Sequence, residues 1–239
     1  MGSSHTARQF LHPMMGSACW WLGFDGVTSA VSCGTDSNLA NLPLNAAGFT
    51  YDGWVYAIDY GEGGYGHIIS KGSTASPGWR YFWYTGVGVE FRIFFNTAAF
   101  SRVAYLPDGA WHHMAGYLNP ADMKIYLARD GTWAAAYVLQ SAGVAPYASD
   151  AAVNLALGAR GTGLVNSLNG RLGWQRLSVG NLFGYPTNFT APIRCAMPTV
   201  TPGTTLEVWP VDEGGGSTTR VVIDSGDVGA LTACTWGNT

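Results

Sequence analysis

Charge is scarce in this 239-residue chain: Asp, Glu, Lys and Arg together make up 11% of it, less than half of the roughly 25% usual in soluble domains. A surface so short of solvating groups fits a molecule that is sparingly soluble alone, or one whose faces are covered by partners. Lysine is almost missing. Only Lys71 and Lys124 occur, against ten arginines, and arginine is the cation favoured at interfaces; codon bias produces the same skew. A formal net charge of −3 without a basic run excludes a nucleic-acid footprint. No apolar run reaches the roughly 18 residues of a membrane-spanning helix. The opening stretch lacks the basic-then-apolar order of a secretory signal, so synthesis in the cytoplasm without signal-driven export is expected. Four cysteines, Cys19, Cys33, Cys195 and Cys234, have no zinc-site spacing. A bridge between Cys19 and Cys33 across a hairpin and free half-buried thiols are both open, the second being the expectation in a reducing compartment.

Glycine and aromatic residues are abundant instead: 33 glycines and 13% Phe, Trp and Tyr. Period-two alternation recurs, and no long helical period does. "VGVEFRIFFN" (87–96) places Val87, Val89, Phe91, Ile93 and Phe95 on one face. "MKIYLARDGT" sends Met123, Ile125 and Leu127 inward and ends in an Asp130-Gly131 turn. "VNLALGARG" alternates Val153, Leu155 and Leu157. Turn signals between such runs predict an all-β fold, a two-sheet antiparallel jelly-roll sandwich. The expected organisation is an N-terminal arm (1–19), a jelly-roll core (20–181), a connector with four prolines (182–203), and C-terminal strands (204–239) completing the same sandwich.

Two segments carry the main site questions. "DGAWHHMAGYL" (108–118) has adjacent histidines behind a tryptophan. On a strand, neighbours point to opposite faces, so His112 and His113 cannot hold one metal together, and neither is expected to bind one. "WRYFWYTGVGVEFR" (79–92) reads as a hairpin around a two-residue Thr85-Gly86 turn. That pairing sets Tyr84 opposite Val87 and sends Trp79, Tyr81 and Trp83 outward beside Glu90 and Arg92. Three large aromatics on an outer face need a cover. A segment of the same chain, a protein partner and a sugar stacked on the rings are the three readings. The arm, with Phe10, Leu11, Met14 and Met15, and the connector, with Phe183, Tyr185 and Phe189, are apolar segments that must find a surface, and both are expected to bind a partner.

The stretches "FDGVTSAVSCG" (24–34), "FTYDGWVYA" (49–57), "GHIISKG" (66–72), "DGAWHHMAGYL", "MKIYLARDG" and "LALGARG…LNGRLGWQRLSVGN" resemble, in this order, laminin G-like, concanavalin A-like jelly rolls over roughly residues 20 to 181. The tail motif "WPVDEGGG…IDSG…GALTACTW" (209–236) looks like the opening strand unit of such domains. Its place behind the core makes the chain look circularly permuted, an arrangement similar to proteins encoded by tailed bacteriophages. The resemblance implies lectin, glucanase, adhesive or virion functions. Glucanases of this superfamily carry a Glu-x-Asp-x-x-Glu strand, and a retaining mechanism needs two carboxyls about 5 Å apart. That run is missing here, so no catalytic residues and no enzyme activity are expected. Related lectins use calcium, which needs clustered oxygen ligands. Asp25, Asp36, Asp108 and Asp130 lie in turns without visible convergence, so no metal site and no cofactor are expected, with calcium left open. The resulting expectation is a non-enzymatic structural or adhesive protein of a bacteriophage virion, a capsid decoration or tail-associated component. It would bind a major capsid protein or copies of itself, with no nucleic acid and no membrane. The alternative is a carbohydrate-binding, lectin-like module for host-surface glycans.

Overall fold

A computed structural model describes residues 19–35, 39–72, 77–135, 139–196, 198–199 and 205–209, together with the backbone of three later stretches, 218–219, 229–232 and 235–238. In chain order the strands are β1 (Trp20–Asp25), β2 (Ala30–Gly34), β3 (Phe49–Ala57), β4 (His67–Lys71), β5 (Trp79–Tyr84), β6 (Gly88–Ile93), β7 (Phe95–Thr97), β8 (Ala99–Val103), β9 (Trp111–Asn119), β10 (Lys124–Arg129), β11 (Thr132–Trp133), β12 (Leu139–Ser141), β13 (Val144–Tyr147), β14 (Leu155–Leu157), β15 (Asn169–Val179), β16 (Thr205–Trp209), β17 (Thr218–Thr219), β18 (Gly229–Thr232) and β19 (Thr235–Asn238).

They form two antiparallel sheets. One runs β11-β10-β9-β3-β15-β1-β19, with β16 also on β15; the other runs β12-β8-β6-β5-β4-β14-β2-β18-β17, and β13 and β7 make a small separate ribbon. This is the sandwich expected from the alternation. Among the described residues no helix is long and apolar enough to cross a membrane.

The core lies between the inner faces. Phe49, Tyr51 and Val55 of β3, Leu172 and Leu177 of β15, and Met114 and Leu118 of β9 meet Trp79, Tyr81, Val89, Phe91 and Ile93 of the opposite sheet. The aromatic contacts are tilted or edge-on, with Phe49 5.3 Å from Trp79 and Tyr51 5.4 Å from Tyr81 between ring centroids, the arrangement that ring quadrupoles favour. Gly116 of β9 lets the sheets close here: a Cβ at that position would lie 2.4 Å from the Phe91 ring.

Of the predicted inward set, Ile125 and Leu127 of β10 are fully buried, and Met123, just before the strand, is half-buried against the core. Asp130 and Gly131 both adopt positive φ, 52° and 82°, as a primed two-residue turn requires. The C-terminal strands pair within these sheets. β19 lies against β1 with Trp20 opposite Asn238, β18 lies against β2, and β16 lies against β15. The long strand β15 therefore has β3 along one edge, while β1 and β16 share the other.

Two expectations about the connector and the cysteines are corrected. Phe183, Tyr185 and Phe189 do not project as a free partner surface. They are half-buried against Ala115, Tyr117, Tyr126, Ala128 and Trp133 on the outer face of the first sheet. Tyr185 stacks on Tyr126 at 3.9 Å, and Phe183 stacks on Phe189 at 3.9 Å. Connector carbonyls accept the polar hydrogens that this face carries: Trp133 Nε1 donates to Thr187 O (3.0 Å), Trp54 Nε1 to Pro192 O (3.2 Å), and Arg176 Nη1 to Thr199 O (2.9 Å). The physical reason is that this sheet carries aromatic side chains on both faces, and the nearest chain segment removes the outer set from water. Cys19 is bonded to Cys195 of the same connector, not to Cys33, whose thiol is buried outside that bridge. The arm residues Phe10, Leu11, Met14 and Met15 lie outside the described residues.

Candidate functional site

The turn joining β5 to β6 decides which side chains reach the surface. It has three residues, Thr85-Gly86-Val87, not two, and Tyr84 pairs with Gly88. Val87 N donates to Tyr84 O at 3.0 Å, while Gly86 and Gly88 adopt φ of +75° and +116°. A shift of one residue in register exchanges the two faces of a strand. Trp79, Tyr81 and Trp83 therefore point into the core and are buried, correcting their expected outward position. Arg80, Phe82 and Tyr84 point outward, in the company of Glu90 and Arg92. The signal for this register was present: the two-residue turn forced Arg80 into the core, and Gly88 supplies the positive φ that a longer, bulged loop uses.

Three strands bring the outward residues into rows. Phe82 lies opposite Glu90, and Glu90 opposite Arg102 of β8. Arg80 lies opposite Arg92, and Arg92 opposite Phe100. Together with Tyr65, which precedes β4, residues Arg80, Phe82, Tyr84, Arg92 and Arg102 line a cavity of about 300 Å³. Tyr65 stacks on Tyr84, 4.9 Å between centroids and 23° between planes, and also lies over Phe82. Each guanidinium rests on a ring: Arg80 on Phe82 (4.5 Å) and Phe94 (5.1 Å), Arg92 on Phe100 (5.4 Å), and Arg102 on Phe100 (5.0 Å) and Tyr84 (5.3 Å).

The charges are unequally satisfied. Glu90 is fully buried and is held by two half-buried arginines, Arg92 at 2.5 Å and Arg102 through a short hydrogen bond from Nε. Arg80 is only 5% exposed, and its Nε and Nη1 have no hydrogen-bond partner among the described residues. Burial, and then the neighbouring positive charge of Arg92, push its guanidinium down to about 10, against the opposing effect of Glu90. Arg80 thus stays charged at neutral pH. Three cations and three aromatic rings line the pocket, and buried Glu90 pairs with two of the cations. The pocket can stack on a ring-shaped ligand and donate hydrogen bonds to it.

The histidine pair is divided as strand geometry requires. His112 lies between Asp130 (Nδ1 to Oδ2, 2.6 Å) and Asp108 (Nε2 to Oδ2, 2.9 Å). His113 is buried on the outer side of the first sheet, with Nε2 3.0 Å from Asp52 Oδ2. Arg176 donates to both oxygens of Asp52 at 2.9 Å, and Trp174, Phe183 and Phe189 enclose the ring.

The aspartates in view are engaged within the fold. Asp25 accepts the backbone N–H groups of Val27, Thr28 and Ser29 within its own turn. These outweigh burial and hold its carboxyl well below the ordinary range. Asp108 and Asp130 approach opposite ring nitrogens of His112 and do not converge on a point. Asp36 lies outside the described residues. Among the described residues no three His, Cys, Asp or Glu side chains are grouped as a metal site.

Strand order and the packing of two antiparallel sheets place this molecule in the class of jelly-roll sandwiches. Residues 25–178 match the family described as the concanavalin A-like lectin/glucanases superfamily, and the chain belongs to it. No curated protein matches the chain. Among solved structures it is similar to a candidate carbohydrate binding protein from Bacteroides ovatus ATCC 8483, at 14% identity and a TM-score of 0.61, with 93% of this chain aligned to 60% of that one. It is also similar to domains LG4-5 of the mouse laminin α1 chain, at 14% identity and a TM-score of 0.50, with 76% of this chain aligned to 48% of that one. The chain thus spans less than two thirds of each of these molecules, and at such identities the likeness concerns the fold.

Proposed function

We propose that this chain is a non-catalytic carbohydrate-binding module, with the pocket on the outer face of β5, β6 and β8 as its sugar site. The observation that carries the reading is the stacked Tyr65–Tyr84 pair beside guanidinium donors in one cavity. Aromatic faces hold the C–H side of a pyranose, and fixed donors select its oxygens. Membership of a superfamily that includes lectins, and likeness to the Bacteroides ovatus protein, support the reading. A glycan array followed by titration calorimetry tests it: the chain should retain at least one glycan class, and Tyr84→Ala should weaken that binding ten-fold or more. Binding unaffected by Tyr84→Ala would move the site elsewhere, and retention of no glycan would end the reading. Display on a bacteriophage particle remains the setting implied by the strand-unit resemblance. The connector aromatics bury part of their surface against the chain's own sheet.

A further inference from the structure

Resting on that reading, we infer that the pocket selects acidic sugars, with Arg80 as the residue that receives the anion. The local charge balance points this way. Glu90, the buried carboxylate between two of the pocket's arginines, has one oxygen on Arg92 and the other on Arg102. Among the described residues no further carboxylate acts on Arg80, whose charged neighbours are Arg92 and Arg160 as well as Glu90. A guanidinium placed between Phe82 and Phe94, nearly buried and lining an open cavity, has donors without acceptors among the described residues.

A neutral sugar supplies oxygen acceptors but leaves the charge uncompensated. A carboxylate does both, because its two oxygens match the edge of a guanidinium. A sulfate ester offers the same combination of negative charge and several acceptors. The shared chemistry is an anion carried on a pyranose ring: the ring lies on Tyr65 and Tyr84, and the anion reaches Arg80. At about 300 Å³ the cavity is at the small end of ligand sites, so it suits one sugar unit of a longer chain.

The test compares matched pairs of oligosaccharides by calorimetry with the full chain. One pair is trigalacturonate and its methyl ester; the other is a sulfated galactan oligomer and its desulfated form. The expected result is at least ten-fold tighter binding of the acidic member in one pair, weakened as NaCl rises from about 50 to about 500 mM. Preference in the first pair identifies a carboxylate, and preference in the second a sulfate. Arg80→Met, which keeps an unbranched apolar stem and removes the guanidinium and its charge, should abolish the preference. If neutral and acidic members bind equally well, the inference is wrong and the carbohydrate reading survives. An acid preference unchanged in Arg80→Met overturns the assignment of Arg80. If no sugar of either kind binds, both fall. The wild-type comparison needs no variant, so failure of Arg80→Met to fold would still leave the inference open to refutation.

Discussion

Lowering the pH from 7.5 to 5 is expected to cost the fold about 2 kcal/mol through one side chain, His67. Its ring is fully buried and stacks on Phe82 at 5.1 Å and 16°. Nδ1 faces two carbonyl oxygens, of Tyr65 (2.9 Å) and Asn166 (3.3 Å), so the neutral ring carries its proton there. Nε2 has no partner among the described residues. Burial, and then the charge of Arg80, push the imidazole down to about 3, against the pull of the two carbonyls. An unfolded histidine titrates near 6.5. Because the folded state binds its proton less tightly, the stability is fully present above the unfolded value and is lost as the pH falls below it. At pH 5 the gap is about 1.5 units at 1.36 kcal/mol each, or about 2 kcal/mol. For a chain of this size that is a drop of roughly 4–8 °C in melting temperature. Urea unfolding at pH 7.5, 6 and 5 measures it in the wild type and in His67→Asn, which does not titrate. The variant is less stable at every pH, but its curve should fall about 2 kcal/mol less between pH 7.5 and 5. Parallel curves would refute the argument and mean that His67 is protonated without penalty.

Other expected outcomes rest on the register, the bridge and the covered outer face. Trp79→Ala should cost about 3–5 kcal/mol as a core truncation, whereas a surface tryptophan would cost almost nothing; chemical denaturation separates the two registers. Cys195→Ser opens a bridge across a sequence separation of 176 residues, and chain entropy sets the loss at up to about 5 kcal/mol. Equal urea midpoints for variant and wild type would contradict it. Asp52→Ala leaves Arg176 buried without its carboxylate and should cost about 3–5 kcal/mol, read by thermal melting. Tyr185→Ala should destabilise the chain and speed proteolytic cutting within residues 181–196; unchanged cutting would mean that the connector is not held by its aromatics.

The sandwich was legible because period-two alternation reports which residues face a core, and strands such as Lys124–Arg129 bury one face densely enough to show it. The Asp130-Gly131 turn and the separation of His112 from His113 follow from local backbone geometry, which needs no knowledge of distant residues. The candidate site was only half legible. Glu90 and Arg92 were in view, but Arg80, Phe82 and Tyr84 were placed on the wrong face, since one extra turn residue reverses every side chain of the strand. Arg102 joins the site through the pairing of β8 with β6, and Tyr65 by stacking on Tyr84, contacts that no local window contains. The Cys19–Cys195 bridge and the cover over Tyr126 and Trp133 are equally non-local. Their partners lie far away in sequence, and hydrophobicity alone does not say which surface a Pro-rich segment will choose.

The pairing of β1 with β19 has a consequence for biosynthesis. Trp20 is hydrogen-bonded next to a strand whose residues are made more than two hundred positions later, and β2 likewise waits for β18. A nascent chain on the ribosome can close the hairpin of β5 and β6, or that of β9 and β10, as soon as each emerges. One edge of β1 and one edge of β2 stay unpaired until residues 229–238 have been translated. Closing such distant contacts is slow, and an unpaired strand edge invites association with other chains. Completion of this fold therefore waits until its last strands have left the ribosome. Its yield should depend on temperature and chaperone supply during synthesis more than on the stability of the finished sandwich.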